Sequence, residues 1–91
     1  MHDWDVQLSS DTHFALAKLT KSIREIVLDR IVWLAEHFDS ITPLPLHTDW
    51  RGFYKSRAGD YRIIYRIDYA NRTLLIENID HRSKVYKKKR K

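Results

Sequence analysis

Apolar and polar residues alternate at two different periods along this chain, and the changes of period mark out its elements. "WDVQL" places Trp4, Val6 and Leu8 at alternate positions, the pattern of a short half-buried strand. "SSDT" then offers N-cap residues for a helix running to about Leu19, with Phe14, Leu16, Ala17 and Leu19 available for burial. A second helix is expected from "SIRE", where Ser22 and Glu25 have capping-box spacing, and Ile23, Ile26, Val27, Ile31, Leu34 and Phe38 recur at helical intervals. Only a few residues near Thr20 join the two, so they predict an antiparallel hairpin. Pro43 and Pro45 in "DSITPLPLHTD" break helix and disfavour a central strand, which predicts an ordered crossing loop.

Three strand-like segments follow, around 52–57, at 60–68 and at 73–81, separated by the turn residues of "RAGD" and "YANR". In "TLLIENID" strict alternation puts Leu74 and Ile76 on one face and Leu75 and Ile79 on the other, as in a strand covered on both sides. The order predicts an α+β fold: an N-terminal strand, an antiparallel two-helix hairpin, then an antiparallel three-stranded meander, with the helices on one sheet face. The 91 residues are read as a single domain, 1–91, ending in a basic tail over 84–91.

Charge divides the chain in two. Residues 1–50 hold four basic side chains (Lys18, Lys21, Arg24, Arg30) against eight acidic ones, a balance of −4. Residues 51–91 hold thirteen against four, a balance of +9, so the second half is suited to phosphate or an acidic partner. The absence of cysteine excludes disulfides and thiolate metal sites, and fits a reducing cytoplasm. The five histidines show no close pair at ligand spacing, so no metal and no cofactor is expected. "MHDWDVQLSS" is acidic where a signal peptide would be basic, and no apolar run reaches membrane-spanning length.

Within the basic half, "DYRIIYR" is the informative stretch. Tyr61, Ile63, Tyr65 and Ile67 share an apolar face, while Arg62, Ile64 and Arg66 share the other. Arg62 and Arg66 would then stand about 13 Å apart on a rigid strand. Lys55 and Arg57 fall on the preceding strand, and Arg82 and Tyr86 follow the next. Antiparallel pairing could gather these into a basic concavity, where planar, permanently charged guanidinium groups hold two phosphate oxygens at once. Fixed in advance, they would favour the extra negative charge of a reacting phosphate over the ground state. Arginines on an open sheet face ordinarily serve solvation and edge protection, so spacing alone leaves both possibilities open.

The run "DWRGFYKSRAGDYRIIYRID" followed by "IENIDHRSKVYK" resembles the RelE/ParE superfamily of bacterial and archaeal toxins from type II toxin–antitoxin systems. The matching features are Trp50 with Gly52, Lys55 with Arg57, "GDYRIIY" at 59–65, and "HR" with "VY" near the end. The likeness is close over about 45–87, and the element order fits the family's β-α-α-β-β-β fold. It implies a toxin that cleaves mRNA in the ribosomal A site: the 2′-hydroxyl attacks the adjacent phosphate and leaves a 2′,3′-cyclic end, without metal. Carried over by position, Arg62 stabilises the charged transition state, Lys55 is an active-site lysine, and Tyr86 stacks on or activates the nucleotide. Arg82 matches a basic position of the family motif, and His81 beside it is a candidate for proton transfer. Arg57, Arg66, Lys84, Lys87 and Lys88 are then RNA-binding candidates. A second active-site lysine of RelE toxins would fall at or near Phe53. The ParE branch implies an alternative, a non-enzymatic inhibitor of DNA gyrase, and a third is an inactive binding module. In each, the resemblance implies a cognate antitoxin, RelB-like or other, that wraps the toxin and alone touches operator DNA. The ribosome and its mRNA are further expected partners of the RelE branch.

Overall fold

A computed structural model describes residues 4–46 and 51–84. Strand β1 (Asp5–Leu8) leads into helix α1 (Ser10–Lys18) and helix α2 (Lys21–His37), after which Phe38–Ser40 form one 3-10 turn. Strands β2 (Leu44–Pro45), β3 (Tyr54–Ala58), β4 (Tyr61–Asp68) and β5 (Thr73–His81) complete a five-stranded sheet in the order β1-β5-β4-β3-β2. The meander β3-β4-β5 is antiparallel, as expected, and β1 joins its β5 edge in parallel, Asp5 to Leu8 running beside Thr73 to Ile76.

Both helices cover one face of the sheet. There Trp4, Leu16, Val27, Ile31, Leu34 and Phe38 meet Ala58, Ile63, Tyr65, Leu74, Ile76 and Ile79, with Tyr61 and Ile67 packed at the margins. The alternation of β4 therefore holds: its tyrosine–isoleucine face is core. α1 starts where the caps allow, with Ser9 Oγ accepting the Thr12 N–H at 3.0 Å. Thr12 is itself wholly buried and donates its hydroxyl to the Ile76 carbonyl at 3.0 Å, fastening α1 to β5. Phe14 lies half a turn from the buried Thr12–Leu16 stripe, so it is exposed rather than core, with Lys18 Nζ 4.4 Å from its ring centroid.

α2 starts two residues earlier than the Ser22–Glu25 spacing suggests. Thr20 is the N-cap, accepting the Ile23 N–H at 3.4 Å, and Ser22 falls inside the first turn. Arg24 donates to the carbonyls of Leu16 (3.1 Å) and Leu19 (2.8 Å), satisfying the end of α1 across the two-residue connection. Val27, Ile31 and Leu34 form the buried stripe; Ile26 and Trp33 lie off it and stay solvent-accessible.

The proline segment is more regular than the sequence suggests. Leu44 and Pro45 pair with Lys55 and Tyr54, and the Leu46 N–H donates to the Phe53 carbonyl at 2.9 Å. Alternate backbone groups point to the same side of a strand, so Leu44 and Leu46 turn their N–H groups toward β3. Pro43 and Pro45, which have none, face outward. That is the position at which a sheet edge tolerates proline.

β5 departs from strict alternation. Tyr65 stands opposite Ile76 while Ile64 stands opposite Asn78, so Glu77 is a bulge. The extra residue reverses the facing of everything after it. Ile79 therefore joins Leu74 and Ile76 in the core, not Leu75 on the far face.

Candidate functional site

β4 supplies the spine of the face turned away from the helices. Arg57 stands opposite Arg62 and Lys55 opposite Ile64 on one side of it. Asp80 stands opposite Arg62 and Asn78 opposite Ile64 on the other. Directly opposed residues have Cβ atoms about 4.5–5.5 Å apart, so Lys55, Arg57 and Arg62 surround Ile64 on a single patch. Like charges placed directly opposite each other are destabilising. The Arg57–Arg62 pair therefore sets two like charges against each other, with the Asp80 carboxylate opposed to Arg62 on its other side.

The patch is neither bare nor filled. Ile64 is wholly buried at its centre, under Leu46 and Phe53. Arg62 is half-buried, and its Nη1 donates to the Tyr61 carbonyl at 3.3 Å, which draws the guanidinium back along its own strand. Beneath Arg57, Arg30 on α2 donates Nε to the Arg57 carbonyl at 3.0 Å and fixes this edge of β3. Arg66 is exposed and engaged: Nε and Nη2 reach Glu77 Oε2 at 2.9 and 2.8 Å, and its guanidinium carbon is 5.8 Å from the Phe53 ring centroid.

The other candidate residues divide between this face and elsewhere. The Arg82 N–H donates to the Asp60 carbonyl at 2.8 Å, which sets Arg82 two positions beyond Arg62 along the sheet. Lys84, exposed, follows in a turn whose N–H bonds the His81 carbonyl at 2.8 Å. His81 pairs with Tyr61 and lies edge-on to its ring, centroids 5.5 Å apart, on the helix side of the sheet. The Ser83 N–H (3.2 Å) points at His81 Nδ1, and Ser83 Oγ lies 3.0 Å from it, so the neutral ring carries its proton on Nε2. The bulge at Glu77 is what parts His81 from Arg62; strict alternation would have put His81 on the arginine face. Tyr86, Lys87 and Lys88 lie outside the described residues, as does Trp50.

A groove of about 740 Å³ adjoins the patch. β1 accompanies β5 only as far as Ile76, and past that point Phe53, Asn78 and Asp80 line one stretch of the groove while Phe14 and Lys18 line another. Along this length the N–H groups of Ile79 and His81 are covered by the Asn78 and Asp80 side-chain oxygens, at 2.9 and 2.8 Å. Simple alternation from Lys55 would have found Phe53; Asn78 and Asp80 were hidden by the bulge. Among the described residues, no three of His, Cys, Asp or Glu come together as a metal-binding group, and no helix is long and apolar enough to cross a membrane.

Residues 8–86 match the family described as the ParE toxin of type II toxin–antitoxin systems, parDE. The chain belongs to this family. The toxin is 39% identical over 44 residues to Toxin RelG of Mycobacterium tuberculosis, a match covering 48% of this chain and 51% of that protein. It spans about half the length of the curated relatives it matches. Its fold is similar to the crystal structure of the M. tuberculosis toxin–antitoxin complex RelBE2, with TM-score 0.79 and 28% identity over 91% of this chain and 95% of that one. The isolated E. coli RelE toxin shares the fold at TM-score 0.71 and 17% identity, over 93% of each chain. The protein is thus a type II toxin of the RelE/ParE superfamily, with the mixed strand, two-helix, antiparallel-sheet order of its RelE-like neighbours.

Proposed function

We propose that this toxin is a RelE-like, ribosome-dependent endoribonuclease that acts in the cytoplasm. The observation that carries the reading is the opposed pair Arg57 and Arg62, with Lys55 one row away, held on strands rather than loops. In the proposed reaction the RNA 2′-oxygen bonds to the adjacent phosphorus, the bond from phosphorus to the 5′-oxygen breaks, and a 2′,3′-cyclic phosphate remains. The phosphate gains negative charge on the way, and preorganised cations stabilise that charge more than the starting diester. One proton must leave the 2′-hydroxyl and one must reach the 5′-oxygen. His81 lies on the helix side, so we assign neither transfer to it. Tyr86 and Arg82 keep their family roles by sequence position. The test is Arg62→Ala in folded toxin, with ribosome-bound mRNA as substrate. Cleavage should fall at least about a hundredfold, the scale on which a single charge-stabilising group acts; undiminished cleavage sinks the reading.

The name of the matching family favours a second reading, a ParE-like toxin that inhibits DNA gyrase without cleaving anything. A supercoiling assay with purified toxin separates the two, since only this reading expects inhibition. Both expect a cognate antitoxin. Complexes of similar toxins with RelB antitoxins support one here, as do Leu28 and Val32, exposed one turn apart on α2, where an amphipathic segment can lie.

A further inference from the structure

We infer that Asn78 reads one nucleobase of a single-stranded RNA, donating its side-chain N–H groups to a carbonyl on the edge of a guanine or uracil. The inference rests on the nuclease reading and adds a specificity-determining residue to it. Asn78 stands opposite Ile64, on the face that carries Lys55, Arg57 and Arg62, and its Cβ lies about 7–8 Å diagonally from that of Arg62. Its Oδ1 accepts the Ile79 N–H at 2.9 Å, which fixes which amide atom is the oxygen and leaves the two N–H donors over. Among the described residues those donors meet no acceptor. No unpartnered side-chain nitrogen or oxygen is sealed from solvent there, so they are open to the groove that Asn78 lines.

Capping a backbone N–H does not call for an amide. Two residues on, the Asp80 carboxylate covers the His81 N–H in the same way at 2.8 Å, so aspartate would serve at position 78 as well. Asparagine differs in what remains: two donors and no charge. The charges around it decide what meets those donors. The patch presents Lys55, Arg57 and Arg62, whereas the groove sets Asp11, Glu77 and Asp80 against Lys18 and Lys84. Phosphate therefore belongs on the patch, and the uncharged part of the nucleotide, its base, in the groove beside it. At about 740 Å³ the groove has room for one base. In a single strand the base edges are open to such contacts. A pair of donors favours an edge with a carbonyl, as guanine O6 and uracil O4 offer, over the amino groups of adenine and cytosine.

The test is Asn78→Asp, which keeps an oxygen for the Ile79 N–H and replaces the donors by an acceptor. Wild type and variant are titrated with short single-stranded RNAs in which each position in turn is uracil or cytosine, and in a second series guanine or adenine. At one position wild type should favour the carbonyl base by roughly 2- to 13-fold, the worth of one net hydrogen bond. Asn78→Asp should bind every RNA more weakly, through its added charge, and should lose or reverse the preference at that position alone. A variant that keeps the wild-type preference overturns the inference, as does a wild type that binds RNA without one. If Asn78→Asp does not fold, wild type decides by itself. Replacing the preferred guanine by 2-aminopurine, or the preferred uracil by pyrimidin-2-one, removes the edge carbonyl and should cost the same factor; unchanged affinity counts against Asn78. Wild type that neither binds nor cuts RNA refutes the nuclease reading itself, a separate failure.

Discussion

If the patch grips RNA phosphates, its grip must weaken with salt by an amount set by how many cations take part. Each cation that neutralises a phosphate of a single strand adds about −0.7 to the slope of log K against log salt. Lys55, Arg57 and Arg62 share one face, whereas Arg66 is already paired with Glu77 at 2.8 Å. The patch should therefore contribute a slope of about −2, equivalent to roughly a 20-fold loss of affinity between about 50 and 200 mM salt. Arg57→Gln and Arg62→Gln should each make the total slope shallower by about 0.7. Arg72→Gln is the matched control: it also removes one positive charge, but at the far turn, where Arg72 is tied to Asp39 at 3.0 Å. Fluorescence anisotropy of a labelled RNA over a KCl series reads all of these. Equal slope changes for Arg62→Gln and Arg72→Gln would show that only net charge matters, and the patch would lose its claim to be a site.

Three further outcomes follow from single side chains. Ile64→Ala should cost about 2–3 kcal/mol in chemical denaturation, the low end for a buried large-to-small change, because Leu46 and Phe53 can partly settle into the gap; an unchanged midpoint would mean the open face is not packed. Burial, and then the neighbouring Tyr54, push the Tyr65 phenol up from 10.0 to about 12, so the stability it contributes is full below pH 10 and is lost as pH rises toward 12. Tyr65→Phe should lack that alkaline phase; persistence of the phase would assign it elsewhere. Asp39 is held below its usual 3.8 first by the Trp4 indole N–H and then by Arg72, so its contribution is complete above pH 3.8 and is lost as pH falls through the lowered value. The stability gap between wild type and Asp39→Asn should close over that acid range, and a gap that widens instead would refute the assignment.

Much of the architecture was legible because β3 and β4, two strands of the meander, carry their facing in their own sequence. The period-two pattern of 61–67 identified the core side of β4, and with it the arginine side, without any knowledge of neighbours. What escaped depended on partners distant in sequence. Nothing in "WDVQL" says that it will lie parallel to residues 73–76. The prolines at 43 and 45 read as breakers until the outward side of an edge strand gives their missing N–H groups a place. Phe14 and Ile26 are apolar, yet α1 and α2 each present only a narrow stripe to the sheet, filled by Thr12 and Leu16 or by Val27, Ile31 and Leu34. For the site, Lys55, Arg57 and Arg62 came from spacing, while the grouping of Asn78 and Asp80 with them depended on one unpaired residue in β5.

That residue also bears on how relatives of this toxin can differ in length. Removing Glu77 would leave Ile76 joined to Asn78, and the pleat would then continue with Ile79 inward and Asp80 outward, as it does now. The expense is confined to the Arg66 ion pair and the Ser9 hydroxyl's 3.1 Å contact with the Glu77 carbonyl. A shortened homologue can thus keep the same interior and the same charged surface. An alignment forced through this point without a gap would assign inward and outward positions to the wrong letters.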